Sequence, residues 1–172
     1  MSTLAFVDTE DTGLDPRIHQ PYEVCVWRED RDEPTTLELP HTLEYADQQA
    51  LNIGGYWDRG FTPYVYPEKR NTAWFKLTSL LKGTTLVGSN PAFDAAMLTR
   101  FIGAPVWNHR LINVAEGAMW FFGWDRPKGL ADVTAALRER GHDIPEPNHT
   151  AEGDVRTTRA VYYALRNERS KQ

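Results

Sequence analysis

Acidic side chains stand at three separate places in this sequence where the surrounding pattern predicts a buried position. The apolar run at residues 4–7 indicates a central strand, and it leads directly into Asp8 and Glu10. Because side chains alternate along a strand, these two carboxylates point to the same face. At about 4 Å and an effective dielectric near 20, two like charges repel by about 4 kcal/mol. The alternative for this segment is a solvated acidic turn.

Two predicted helices repeat the pattern. In the helix predicted over 92–101, Asp94 shares the apolar stripe with Met97 and Leu98, and in the helix predicted over 151–167, Asp154 shares it with Val161. Alone, Asp94 could be a first-turn acid held by the helix N-terminus, and Asp154 a rim residue paired with an arginine. No segment directs a matching cation to the same interior. A bound divalent metal ion resolves this conflict, because hard cations take oxygen ligands.

One histidine stands close to these acids in the chain. His149 lies five residues before Asp154, on a loop that leads into the last predicted helix. A lone loop histidine is ordinarily a surface residue. His149 differs because the chain delivers it beside a predicted metal-binding carboxylate, and imidazole exchanges protons near neutral pH. We therefore predict that His149 is a general base.

The order of predicted elements indicates an α/β domain with a mixed sheet. Strands are predicted at 4–7, 22–27, 35–39, 85–87 and 110–114, and helices at 74–81, 92–101, 115–122, 130–140 and 151–167. The aromatic-rich stretch 51–67 is interpreted as a long ordered connection that packs on the core, although aromatics there could also stack on bases. We expect one domain over residues 1–172, with a flexible tail in the last few residues.

Charge and composition narrow the classes of function. The chain has 172 residues and a formal net charge of −5, which disfavours broad coating of nucleic acid but is compatible with a grip on a few nucleotides. Cys25 is the only cysteine, so no intrachain disulfide can form. No apolar run approaches the length of a membrane span, and no membrane partner is expected. These features predict a cytoplasmic protein.

Three motifs, in order along the chain, carry a family resemblance. They are FVDTEDTGLDP at residues 6–16, LVGSNPAFDAAML at residues 86–98 and HTAEGD at residues 149–154. Together they resemble the DEDD exonuclease superfamily in its DnaQ-like, histidine-containing branch (DEDDh), and they cover essentially the whole domain. The stretch ALNIGGY at residues 50–56 is similar to small members of that family, some of them phage-encoded, for which the setting would be the host cytoplasm.

The resemblance implies an RNase H-like fold, with a five-stranded mixed sheet flanked by helices. It implies two divalent metal ions, Mg²⁺ or Mn²⁺. Asp8, Glu10 and Asp154 would ligate the first ion, Asp8 would also touch the second, and Asp94 would hold the waters around it. His149 would deprotonate the attacking water. The implied reaction is hydrolysis from the 3′ end of DNA or RNA, with release of nucleoside 5′-monophosphates.

The resemblance also implies residues that contact the substrate. The backbone near Asp11 and Thr12 would meet the 3′-terminal nucleotide, Leu14 would wedge against the terminal base, and Asn90 and Phe93 would line the nucleotide pocket. The expected partner is a nucleic acid with a free 3′ end, with single strands or short oligonucleotides favoured. A homodimer, or a polymerase partner bound in trans, is compatible with the family.

The sequence departs from the family pattern at three positions, and two other functions compete with the first. Family members often have threonine at Asp11, histidine at Ser89, and aspartate near Asn113. Asp11 adds negative charge beside the site, which bears on the affinity for substrate. One alternative function is a catalytically weak or silent module that binds nucleic acid or acts as a scaffold on the same fold. The other is a metal-dependent endonuclease of RNase H type.

Overall fold

A computed structural model describes residues 2–64 and 66–169 of the chain. The tail predicted for the last few residues falls at 170–172, outside this range. The elements, in chain order, are β1 (Leu4–Asp11), β2 (Pro21–Arg28), β3 (Thr35–Glu38), α1 (Gln48–Ile53), α2 (Pro67–Leu81), β4 (Thr85–Gly88), α3 (Pro91–Ile102), β5 (Ile112–Asn113), α4 (Val114–Phe122), α5 (Leu130–Glu139) and α6 (Ala151–Arg169).

The five strands form one mixed sheet with the order β3-β2-β1-β4-β5. The first three strands make an antiparallel meander, and β4 and β5 join it in parallel. The predicted α/β fold with a five-stranded mixed sheet is therefore confirmed. Strand β1 lies at the centre, so its carboxyl end meets the loops of both halves of the sheet.

The side chains of β1 alternate between two apolar cores. Ala5 and Val7 pack in the core that contains residues of α2 and α3. Phe6 packs in the core formed with α4, α5 and α6, where its ring lies 5.5 Å from the ring of Tyr162. By the same alternation, Asp8 and Glu10 lie on the face of the sheet that α6 covers.

The connection between β3 and β4 contains more helix than the sequence pattern indicates. Helix α1 was not predicted, and it is six residues long and capped by the side chain of Asp47. Helix α2 begins at Pro67, seven residues before its predicted start at position 74. Its first turns are polar and exposed and carry no apolar stripe, so hydrophobic periodicity cannot detect them. No helix among the described residues has the length and hydropathy of a membrane span.

Part of the aromatic-rich stretch packs as predicted. Tyr56 is fully buried, and its ring contacts Tyr22 edge-on at 4.9 Å. Its hydroxyl also lies 2.5 Å from the imidazole of His41, whose other nitrogen bonds the Leu39 carbonyl. Trp57, in contrast, is more than half exposed. A third, smaller core therefore fixes this connection against the start of β2.

Candidate active site

Three carboxylates meet at the carboxyl end of β1. Asp8 and Glu10 come from the strand, and Asp154 comes from the first turn of α6. One oxygen of each lies within 4.8 Å of an oxygen of the other two. Residues that are more than 140 positions apart in the chain therefore form one acidic group, as the sequence pattern predicts.

Asp94 reaches the same place from the first turn of α3. It is 5% exposed, and its Oδ1 accepts hydrogen bonds from the backbone N–H and the hydroxyl of Thr9, both at 2.9 Å. These bonds fasten the start of α3 to β1 between Asp8 and Glu10. The charge of Asp94 is the largest of the neighbouring charges that raise the pKa of Asp8.

Burial and mutual repulsion make ionisation of this group unfavourable. The pKa of Asp8 is raised well above its ordinary range, first by burial and then by Asp94, Asp154 and Glu10. Burial also raises the pKa of Asp94 and of Glu10 to about 7. Arg59 opposes the shift at Glu10, but its guanidinium is paired with Glu23 at 2.6 Å. The donor set of buried carboxylate oxygens suits hard divalent cations.

His149 lies on the turn directly before α6, and its side chain is exposed. Its backbone is in the left-handed region, with φ of 54°. The N–H of Asn148 donates to Asp154 Oδ1 at 2.9 Å, so the same turn holds the carboxylate. The charge of His149 lowers the pKa of Asp154, which burial otherwise raises. The histidine therefore stands at the open edge of the acidic group.

The structure also brings Glu23 into this region, which the sequence reasoning missed. Glu23 lies opposite Glu10 in the β1–β2 ladder and is buried. One of its oxygens pairs with Arg59, and the other accepts the N–H of Ala151 at 3.2 Å. Glu23 thus ties β2 to the first residue of α6, three residues before Asp154. The criterion applied to Asp94, a carboxylate in an apolar run, would also have selected it.

Gly54, which lies outside the sheet, packs closely against Glu10. A Cβ at this position would lie 2.1 Å from the hydroxyl of Tyr22 and 2.7 Å from Glu10 Oε2. We expect Gly54→Ala to displace Glu10, to lower the free energy of unfolding by about 1–3 kcal/mol as overpacking does, and to reduce any activity that depends on Glu10. Urea unfolding and metal-dependent activity measure the two effects.

Gly117 is the matched control for this substitution. Its Cβ would meet only the Leu165 side chain, at an ordinary 3.8 Å, and Gly117 lies within α4. Gly117→Ala should therefore stabilise the helix by about 1 kcal/mol and leave activity intact. Equal behaviour of the two variants would contradict the constraint that we assign to Gly54.

The residues predicted to contact substrate occupy different environments. Asp11 is 9% exposed, and one oxygen accepts from the Thr9 hydroxyl at 2.8 Å. Its other oxygen, Oδ1, has no hydrogen-bond partner within the described parts of the chain. Thr12 is buried, and its N–H and C=O bond to Gln20 and Asp47. The predicted contacts of Asp11 and Thr12 with a nucleotide stay predictions.

Leu14 stands at the tip of a tightly braced loop and is 78% exposed. The carboxylate of Asp15 accepts from the backbone N–H and the guanidinium of Arg17, and the N–H of Asp15 donates to His19 Nδ1. Arg100, from α3, donates to the carbonyl of Pro16 at 3.0 Å. These hydrogen bonds therefore hold the loop in one conformation, with the apolar side chain of Leu14 exposed to solvent.

Asn90 and Phe93 lie at the start of α3. Asn90 is the N-cap residue with φ of 82°, and its side chain makes no capping hydrogen bond. Its N–H donates to Asn113 Oδ1 at 3.3 Å, which links the ends of β4 and β5. Phe93 is half-buried one residue before Asp94. Both predicted pocket residues thus flank the acidic group, and their contact with a nucleotide stays a prediction.

Comparison of the whole chain with solved structures identifies the fold. Exonuclease X, solved in complex with 5′-overhanging duplex DNA, superposes with a TM-score of 0.66 at 17% identity, over 97% of this chain and 93% of that one. E. coli exonuclease I, solved with an oligonucleotide, superposes with a TM-score of 0.61 at 20% identity, over 99% of this chain. This chain spans 42% of the exonuclease I chain.

The fold is therefore the RNase H-like α/β fold of these exonuclease structures. No protein-family model matches the sequence, and no curated protein sequence matches it significantly. At such low identity the likeness establishes the fold, whereas function has to be argued from the site.

Proposed function

We propose that this chain is a metal-dependent 3′→5′ exonuclease of the DnaQ-like, histidine-containing DEDD branch. It hydrolyses phosphodiester bonds at the 3′ end of DNA or RNA and releases nucleoside 5′-monophosphates. The observation that carries this proposal is the convergence of Asp8, Glu10, Asp94 and Asp154 at one end of β1, with His149 at the edge. Such a costly concentration of like charge suits a site that binds cations.

Two divalent ions, Mg²⁺ or Mn²⁺, would be held by these carboxylates. Asp8, Glu10 and Asp154 would hold one, and Asp8 with Asp94 would hold the other. The ions would orient the scissile phosphate and stabilise the negative charge that develops on it. These residues suit a divalent ion because their carboxylate oxygens are buried. Among the described residues, the cation that acts on Glu10, Arg59, is already paired with Glu23.

The side chains around the acids would position the strand and move the proton. His149, exposed at the entrance, would take a proton from the attacking water. Leu14 would wedge against the terminal base, with Asp11 and Thr12 beneath it and Asn90 and Phe93 beside the sugar. An exposed leucine on a braced loop supports this role, since such a side chain gains from being covered.

The substrate panel that tests the proposal uses 5′-labelled single-stranded and duplex DNA and RNA, with Mg²⁺, Mn²⁺ or EDTA. We expect a ladder that shortens from the 3′ end, with nucleoside 5′-monophosphate as product, and no cleavage in EDTA. Closed circular DNA and RNA serve as the matched control. Cutting of circles would support the endonuclease alternative instead, and binding without cleavage of any substrate would support a silent module.

Stability should respond to both pH and metal. The pKa of Glu10 rises from 4.5 to about 7 in the folded chain, and that of Asp94 rises from 3.8 to about 7. At pH values between the unfolded and the folded pKa of these groups, the folded state binds more protons than the unfolded state. The free energy of unfolding in metal-free buffer should therefore fall as pH rises from about 4.5 to about 7. Urea unfolding at a series of pH values in EDTA measures this slope.

Added metal should restore the free energy of unfolding that is lost as the pH rises. At 100 times its Kd, Mg²⁺ or Mn²⁺ would add about 2.7 kcal/mol at pH 7.5, which corresponds to a rise in Tm of roughly 5–10 °C for a chain of this size. Sodium chloride at matched ionic strength controls for screening. A Tm that millimolar metal leaves unchanged at pH 7.5 would contradict the metal site.

A further inference from the structure

A small polar cavity lies beside the loop that carries Leu14. Its volume is about 260 Å³, and it opens next to the end of β1, because Pro21 pairs with Asp11 in the sheet. The lining residues are Gln20, Pro21, Pro40, Arg70, Arg100 and Phe101. Two arginines from different helices, α2 and α3, therefore face one small cavity.

Both guanidinium groups are held in place by neutral partners. Arg70 lies over the ring of Phe101, 5.2 Å from its centre, and donates to the Phe101 carbonyl at 3.5 Å. Arg100 donates to the carbonyl of Pro16 at 3.0 Å. Carbonyls orient a guanidinium but leave its positive charge uncompensated. Within residues 2–64 and 66–169, neither arginine has a carboxylate partner.

Some other arginines of the described residues also lack a carboxylate partner, but Arg70 and Arg100 line the same cavity. Six other arginines pair with a carboxylate in the described structure: Arg17, Arg28, Arg59, Arg138, Arg140 and Arg156. The chain has 24 acidic and 19 basic residues, so acidic partners are abundant. Two like charges that share a cavity without a counter-ion favour an anion between them.

We infer that Arg70 and Arg100 form a binding site for a backbone phosphate of the polynucleotide, upstream of the bond that is cleaved. This inference rests on the proposed function. Arg100 lies six residues beyond Asp94 on α3, or about 9 Å along the helix axis. A strand advances about 3.4 Å per nucleotide when stacked. For a strand that follows α3, this length corresponds to about three stacked nucleotides, so a dinucleotide bound at the acidic group would be too short to reach the cavity.

The test is equilibrium binding of fluorescent oligonucleotides, from two to six nucleotides long, in EDTA. The proteins are the wild-type chain, Arg70→Gln, Arg100→Gln and the double variant. We expect each substitution to raise the Kd of the hexamer on the order of tenfold, because a charge-assisted hydrogen bond is lost. In Arg70→Gln, the Kd of the dinucleotide, which is too short to reach the cavity, should change by less than about twofold. Arg100→Gln should raise the Kd of the hexamer more than that of the dinucleotide, because Arg100 also braces the loop that carries Leu14. The salt dependence of hexamer binding should fall by about 0.7 in slope.

Arg126 provides the matched control, since it is an exposed arginine between α4 and α5. Arg126→Gln removes the same charge and should leave the Kd of both oligonucleotides unchanged. If Arg126→Gln raised the Kd of the hexamer equally, the effect would come from the net charge of the protein, and the phosphate site would be contradicted. An equal effect of Arg100→Gln on dinucleotide and hexamer would show that Arg100 only braces the Pro16 loop, and would also overturn it.

Inorganic phosphate separates a polynucleotide site from a site for free phosphate. We expect it to displace the hexamer only in large molar excess, and displacement at equal concentration would contradict the assignment. Because binding is measured without metal, the result is independent of catalysis. Failure of the wild-type chain to degrade 3′ ends with Mg²⁺ or Mn²⁺ would contradict the proposed function, whereas a hexamer Kd insensitive to both arginines would contradict only this phosphate site.

Discussion

Replacing Asp8 by asparagine is expected to lower 3′-end hydrolysis on the order of 10³-fold or more, while making the metal-free protein more stable. Asp8 is central to the acidic group, and Asp94, Asp154, Glu10 and Asp11 all raise its pKa. Loss of about 4 kcal/mol of transition-state stabilisation corresponds to this reduction in rate. The amide keeps the shape of the side chain and removes its charge.

The gain in stability has the same cause as the loss of activity. At pH 7.5, folding the wild-type chain forces Asp8 to bind a proton or to remain ionised among other acids. Asparagine avoids both costs, which we expect to add about 1–2 kcal/mol to the free energy of unfolding in EDTA. For a chain of this size, the Tm should then rise by roughly 3–8 °C.

Asp125→Asn is the control for the Asp8 substitution. Asp125 is exposed in the loop between α4 and α5, and it is not among the acids that raise the pKa of Asp8. Its replacement should change neither the rate nor the Tm. With millimolar Mg²⁺ or Mn²⁺, the wild-type Tm should rise and the Asp8→Asn Tm should rise much less. A variant that is both inactive and less stable than wild type in EDTA would indicate a packing role for Asp8 and contradict this account.

Substitution of His149 by asparagine should reduce the rate by about 10²–10⁴-fold, which is the usual contribution of a general base. Asparagine is the appropriate replacement because His149 has a φ of 54°, and asparagine tolerates the left-handed region better than alanine does. The carboxylates remain, so the rise in Tm with metal should persist. Single-turnover hydrolysis and thermal unfolding of the same preparation separate the two effects.

His109 offers a matched histidine outside the site. It is exposed in the connection between α3 and β5. His109→Asn should therefore retain the wild-type rate, whereas His149→Asn should not. Full activity of His149→Asn at neutral pH would remove this residue from the proposed mechanism.

The sheet could be predicted from the sequence because its strands carry a strong local signal. The apolar runs in β1, β2 and β4 are buried on both faces of the central sheet, and each was recognised from its composition. Strand β5 is only two residues long at the sheet edge, so its predicted length was too great. Helix α1 and the polar first turns of α2 lack apolar periodicity, and only tertiary packing reveals them.

The acidic group was predictable for a different reason. A carboxylate on an apolar helix stripe is energetically unfavourable, and the sequence pattern alone reveals this for Asp94 and Asp154. Glu23 showed it too, in the middle of β2, but its partners come from distant segments. Its pairing with Arg59 and with the N–H of Ala151 follows from how α6 and the α1 region pack on β2. Likewise, the cavity between Arg70 and Arg100 joins two helices whose crossing no local pattern specifies.

The braced loop around Leu14 has a consequence for how a strand would be received. Hydrogen bonds among Asp15, Arg17 and His19, and one from Arg100 to the Pro16 carbonyl, hold the loop before any ligand arrives. The conformational entropy of this segment is therefore lost during folding and not at the moment of encounter. A preorganised surface of this kind discriminates by shape, because it cannot adjust to a strand end that does not fit.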